Sequence, residues 1–305
     1  MKKRLSALTA LLCALCLLLS GCSLIPDMDA ILERWEAAKQ DVLENGGSDP
    51  EQTHSLTDLE QQYGFPIYDP DGLLSGEEGK INRDVLTEAL DTLSVPLIRG
   101  MLQNLQRREI SFEMIFLDEE SDNLAQTEYS HSMIRIRVYA PREFFDSEAD
   151  DGITLQTITH EFGHVFHDVL ESEYGPDAFR EAWSFLNGEH NYGDEWSKDC
   201  GHYFAYDYGL TEYYEDVATV FENLGAYPLI ASSRFTREEN TPLYLKAKLL
   251  YTLMDDFFDL SGSALFDGFL TAMDHRDDTA SLLEDLVGLG YPGDLSFLPS
   301  SALAA

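Results

Sequence analysis

Basic residues are scarce in this 305-residue chain: 20 Lys and Arg stand against 56 Asp and Glu, a formal charge of −36. A surface that acidic argues against nucleic acid or an anionic lipid face as a partner. Cysteine is scarce too. Of four, Cys13 and Cys16 lie in an N-terminal apolar run, Cys22 follows it, and only Cys200 lies beyond. One thiol cannot build an internal disulfide framework, so stability must come from a hydrophobic core, which a chain of this length can supply. No internal repeat is visible, and no second long apolar run follows the first, which argues against solenoid and multi-span membrane architectures.

What is present begins at the N-terminus. Lys2, Lys3 and Arg4 precede an apolar stretch from Leu5 to Leu19. It is short for a bilayer span and suits the core of a signal peptide. The stretch ends in Leu19-Ser20-Gly21-Cys22, which resembles the lipobox of bacterial lipoproteins. That resemblance implies cleavage before Cys22, acylation of Cys22, and an extracytoplasmic protein held to the cell membrane by its lipid. Two or more acyl chains anchor stably, because each buried methylene contributes about 0.8 kcal/mol. Residues 1–21 carry three basic and no acidic residues, so their removal takes the formal charge to −39.

Hydrophobic spacing predicts helices over 29–43 and 81–106, with Pro96 kinking or splitting the second, and an irregular, Gly-, Pro- and Asp-rich stretch over 50–80. Two strands follow. Ile110, Phe112, Met114 and Phe116 alternate with other residues, as do Ile134, Ile136 and Val138 with Arg135 and Arg137. The two arginines read as a solvated strand face, or as part of an edge strand that could pair with an extended peptide. The acidic segment 118–123 reads as a loop. Helices are expected over 154–171, 177–186, 211–224 (with Thr211 as N-cap), 241–260, 263–273 and 279–288, with a long polar and aromatic loop over 187–209. The elements give an α+β class: mostly helical, a small β-sheet before the central helix, and a helical C-terminal part.

The central helix, Thr154 to Glu171, contains His160-Glu161-Phe162-Gly163-His164, an HExxH. Residues four apart share a helix face, so both imidazoles can reach one ion. Glu161 lies beside that face, placed to activate a metal-bound water. A catalytic zinc takes three protein ligands and keeps one open position. The third is not in HExxHxxGxxH register, because position 167 is His and position 170 is Leu. It must come from a later element. Glu215, near the start of the 211–224 helix, is the leading candidate, since apolar neighbours can pack that helix on the first. His167 is too close to His164 to join both histidines on one ion and is expected to pack. His190 and His202 lie in the long loop, and Cys200 beside His202 is expected to be a buried, inert thiol.

HEFGH at 160–164, Asp207-Tyr208-Gly209-Leu210-Thr211, and Glu215-Asp216-Val217-Ala218-Thr219 together resemble a family of bacterial zinc-binding metallopeptidases of the gluzincin type. In that family HEFGH is followed by YGxTN and EDFAE, and lethal-factor-type peptidase domains are similar. The match covers about residues 153–224. The resemblance implies a zincin-like peptidase fold, zinc on His160, His164 and Glu215, Glu161 as general base, and Tyr208 as donor to the oxyanion. Three positions depart from the pattern. Glu212 stands in place of Asn, which makes Glu212 a second candidate for the third ligand. Val217 replaces Phe. Thr219 replaces the second Glu, where it is expected to orient a ligating histidine.

The expected organisation is a signal peptide over 1–21, a tether with helical and irregular parts over 22–80, the peptidase domain over 81–292, and a C-terminal tail over 293–305. The expected protein is a monomeric peptidase acting on peptides or proteins. The rival reading is a scaffold or binding lipoprotein that keeps the fold without catalysis.

Overall fold

The structure, a computed structural model, describes residues 56–76, 79–119, 121, 123–140, 154–226, 234–237, 241–272 and 280–299. The apolar run, Cys22 and the expected 29–43 helix lie outside them. The fold is mixed α+β, mostly helical, with one small sheet.

Helix α1, Leu56–Tyr63, and the two-residue strand β1, Ile67–Tyr68, occupy a stretch that composition reads as irregular. Only Leu59 and Tyr63 of α1 are buried, too few to give a helical pattern. The long pattern over 81–106 is two helices, α2 (Lys80–Leu93) and α3 (Val95–Arg107). Ser94 breaks them apart at φ 76°, and Pro96 sits in the first turn of α3, where its missing N–H costs nothing.

Strands β2 (Ser111–Leu117), β3 (Ala125–Tyr129) and β4 (Met133–Tyr139) complete a sheet of order β1-β2-β4-β3. The first three in that order run parallel, and β3 is antiparallel to β4. Register pairs Phe112 with Ile134, Met114 with Ile136 and Phe116 with Val138. One face is therefore apolar and meets the central helix, with the Phe112 and Phe162 rings 5.7 Å apart. On the other face Arg135 pairs with Glu113 at 2.5 Å and Arg137 with Glu128 at 2.9 Å. The arginine strand is internal to the sheet. The edges, among the described residues, are the two-residue β1 and the longer β3.

Helix α4, Leu155–Tyr174, carries the HExxH and is buried along most of its length. Thr154 caps it in a reciprocal box with Thr157, and Gly175 at φ 91° followed by Pro176 ends it. Helix α5 (Pro176–Phe185) leads into the long loop, which contains 3-10 turns at Lys198–His202 and Asp207–Leu210. Helix α6, Tyr213–Ala226, packs across α4; α7 (Thr241–Phe257), α8 (Asp267–Ala272) and α9 (Ala280–Gly288) follow. Thr211 does not cap α6, because its hydroxyl donates back to the Tyr208 carbonyl at 2.6 Å. Among the described residues no helix is long and apolar enough to cross a membrane.

Candidate metal centre

The crossing of α4 and α6 makes the site. At the crossing stands Gly163, where a Cβ would sit 3.2 Å from both the Ala218 Cα and the Phe221 Cβ. Any side chain there would hold the helices apart. Phe166 and Phe221 stack at 5.3 Å beside it and close the apolar side of the contact.

That approach brings His160 and His164 of α4 to Glu215 of α6. The Glu215 Oε2 atom lies 3.0 Å from His160 Nε2 and 3.4 Å from His164 Nε2. The donor atoms of the three all fall within 4.8 Å of one another. Ligand bonds of 2.0–2.1 Å in a tetrahedron put neighbouring donors about 3.3 Å apart, so the observed spacings suit one ion of zinc's size. The donor set of two imidazoles and one carboxylate suits it as well. Glu212 is not in this group; its carboxylate meets the Tyr214 hydroxyl.

A second carboxylate fixes His160 from behind. Glu222 Oε2 is 2.7 Å from His160 Nδ1, while Gln156 Nε2 donates to Glu222 Oε1 at 2.6 Å. An Nδ1–H held by a carboxylate leaves Nε2 for the metal side, the arrangement that orients metal-binding histidines. Burial opposes a charged His160, but hydrogen bonds to Glu215 and Glu222 prevail and raise it to about 10. Burial likewise opposes an ionised Glu215, and His160 and His164 overcome it, lowering the carboxyl to about 2. Two carboxylates thus converge on His160, and one of them, Glu215, also reaches His164.

Glu222 escapes the sequence motif. Its signal was its place two turns after Glu215, seven residues on, on the same face of the helix. Thr219, expected in that role, instead donates to the Asp216 carbonyl of its own helix at 2.9 Å.

Glu161 is buried beside the group, and its carboxyl is raised by that burial, against the lowering influence of His160 and His164. The hydroxyl of Thr127, on β3, donates to Glu161 Oε2 at 2.5 Å. The edge strand therefore holds the carboxylate that the motif marks as the base. Tyr208 packs against His160 with ring centroids 5.7 Å apart, and Tyr214 stands against His164 at 5.8 Å. Both rings are nearly half exposed. Burial and then Glu215 push the Tyr208 hydroxyl up, so it stays a proton donor. A groove of about 500 Å³ runs along β3, lined by Gln126, Thr127, Glu128, Tyr129, Ser130 and Met133.

The remaining candidates fall elsewhere. His167 is buried one turn past His164, bonded to the Tyr213 hydroxyl at 3.1 Å. Cys200 is fully buried with His190 Nδ1 3.8 Å from its sulfur, and His202 is exposed in the same turn.

No protein-family profile and no curated protein matches the chain. A solved structure of a candidate zinc-binding metallo-peptidase from Bacteroides caccae is similar to it, with a TM-score of 0.43 and 10% sequence identity, over 71% of this chain and 88% of that one.

Proposed function

We propose that the chain is a zinc metallopeptidase that hydrolyses peptide bonds outside the cytoplasm, tethered to the bacterial cell membrane by lipid on Cys22. One observation carries the reading: His160, His164 and Glu215, from two helices, place their donor atoms within 4.8 Å of one another, with the Glu161 carboxylate adjacent in sequence and in space.

Held by these three side chains, zinc would supply a Lewis acid and a water of lowered pKa at neutral pH. The chain's own groups do the rest. Glu161 takes the proton of the attacking water and returns it to the leaving amine. Thr127 holds the Glu161 carboxylate in place for both transfers. Tyr208 donates to the carbonyl oxygen as that oxygen gains charge. The outer edge of β3, unpaired among the described residues, offers backbone groups to an extended peptide, and the groove along it takes side chains. The edge-strand option of the sequence fell on the arginine strand, which is internal; the strand proposed for this role is β3 instead.

Turnover of a broad peptide library by wild type and Glu161→Gln tests the reading. The variant is expected to keep zinc and to lose at least about 100-fold in rate, the scale of a general base. Full activity in Glu161→Gln contradicts the assignment; zinc binding without turnover in wild type favours the scaffold reading.

A further inference from the structure

Directly after Glu215 comes Asp216, which points the other way. Consecutive helix residues are about 100° apart, so one faces the metal group and the other faces the interior. Asp216 is completely buried. Its Oδ2 atom accepts from Lys246 Nζ at 2.7 Å, Trp183 Nε1 at 2.8 Å and the Tyr192 hydroxyl at 3.0 Å. Lys246, also completely buried, donates in addition to the Tyr203 carbonyl at 2.7 Å and lies 4.2 Å from the Phe204 ring centroid. Three parts of the fold meet α6 at this one oxygen: α5 through Trp183, α7 through Lys246, and the long loop through Tyr192, while Tyr203 of the same loop holds Lys246.

A buried ion pair is a poor device for stability alone. The desolvation of two charges offsets most of their attraction, and apolar residues of the same volume often do as well. Such a pair is better suited to fixing one orientation. A side-chain tip on a helix stands about 6 Å from the axis, so a rotation of about 20° moves it about 2 Å. Metal–ligand distances tolerate about 0.2 Å. A rotation of only a few degrees of α6 would therefore take the Glu215 carboxylate out of range.

We infer that the Lys246–Asp216 pair, with Trp183 and Tyr192, is a rotational anchor for α6 that positions the Glu215 carboxylate for metal binding. Lys246 and Asp216 are positioning residues; neither is among the ligands. The inference rests on the metal-centre reading and extends it to residues 30 positions apart in the chain.

The test measures zinc affinity by chelator competition, the absorption spectrum of the Co²⁺-substituted full chain, and the apo Tm. The central variant is Asp216→Asn with Lys246→Met, which removes both charges together and leaves none unpaired. Zinc affinity is expected to fall about 10- to 100-fold, as when an outer partner of a metal ligand is lost, with an altered Co²⁺ spectrum and an apo Tm near wild type. Leu249→Ala, a core deletion elsewhere in α7, is expected to lower Tm and leave zinc affinity alone.

A folded double variant that binds zinc within twofold of wild type overturns the inference while leaving the metal centre standing. So does Leu249→Ala weakening zinc as much as the double variant does. A wild-type chain that binds no zinc removes the metal centre itself, and this anchor with it. Should the double variant not fold, Tyr192→Phe decides: zinc weakened about threefold or more at unchanged Tm supports the anchor, and unchanged affinity overturns it.

Discussion

Glu222 Oε2 lies 2.7 Å from His160 Nδ1, and the same ring's Nε2 lies 3.0 Å from Glu215 Oε2. Two carboxylates seven residues apart on α6 therefore grip opposite nitrogens of one imidazole on α4. A carboxylate at Nδ1 favours the tautomer that leaves Nε2 facing the proposed metal group.

Glu222→Gln keeps the volume and turns an acceptor-only carboxylate into an amide. Zinc affinity, measured by chelator competition, is expected to fall about 10- to 100-fold. An affinity within twofold of wild type would mean that Glu222 does not orient His160.

Gly163→Ala sets two effects against each other. Alanine gains about 1 kcal/mol of helix propensity over glycine. Its methyl would press on the backbone of Ala218 at 3.2 Å, and overpacking of that kind costs about 1–3 kcal/mol. The expected outcome in urea unfolding is a net loss of about 1 kcal/mol, with zinc affinity down several-fold as α6 retreats. A variant more stable than wild type with unchanged zinc affinity contradicts the close-approach account.

Away from the metal, Glu171 gives a pH signature. Burial would raise its carboxyl, but His167, 3.3 Å away, and the Tyr213 hydroxyl more than offset that and lower it. A carboxyl lowered on folding stabilises the native state above its unfolded value of about 4.5, and that stabilisation is lost as pH falls through the folded value. Glu171→Gln is thus expected to be less stable than wild type at pH 6, by about 1 kcal/mol or less, since Glu171 is partly exposed although His167 is buried. The gap should narrow as pH falls below about 4.5 and close once the folded carboxyl is protonated. A gap that widens on acidification contradicts the pairing.

How much of this was legible in the sequence depended on whether the cause was local. His160, Glu161 and His164 could be read because one helix and one spacing define them. Strands β2 and β4 were legible because one face of each is apolar. Strand β3 was not: of Ala-Gln-Thr-Glu-Tyr only Ala125 is buried, and its pairing with β4 makes it a strand. With β3 went Thr127 and its hold on Glu161, a contact across 34 residues. The Pro96 break was legible, although the chain turns at Ser94. Nothing in the sequence singles out Lys246, a charged residue in an apolar helix. Its partner lies 30 residues away, and only the folded chain brings the two together.

The central claim is that two helices present three side chains to one divalent ion, and metal content tests it most directly. Wild type and Glu215→Ala are stripped with chelator, dialysed against equimolar zinc, and assayed for bound metal by elemental analysis. One zinc per wild-type chain, with most of it lost from a folded Glu215→Ala, is the predicted result. Equal zinc in both, or none in wild type, would contradict it.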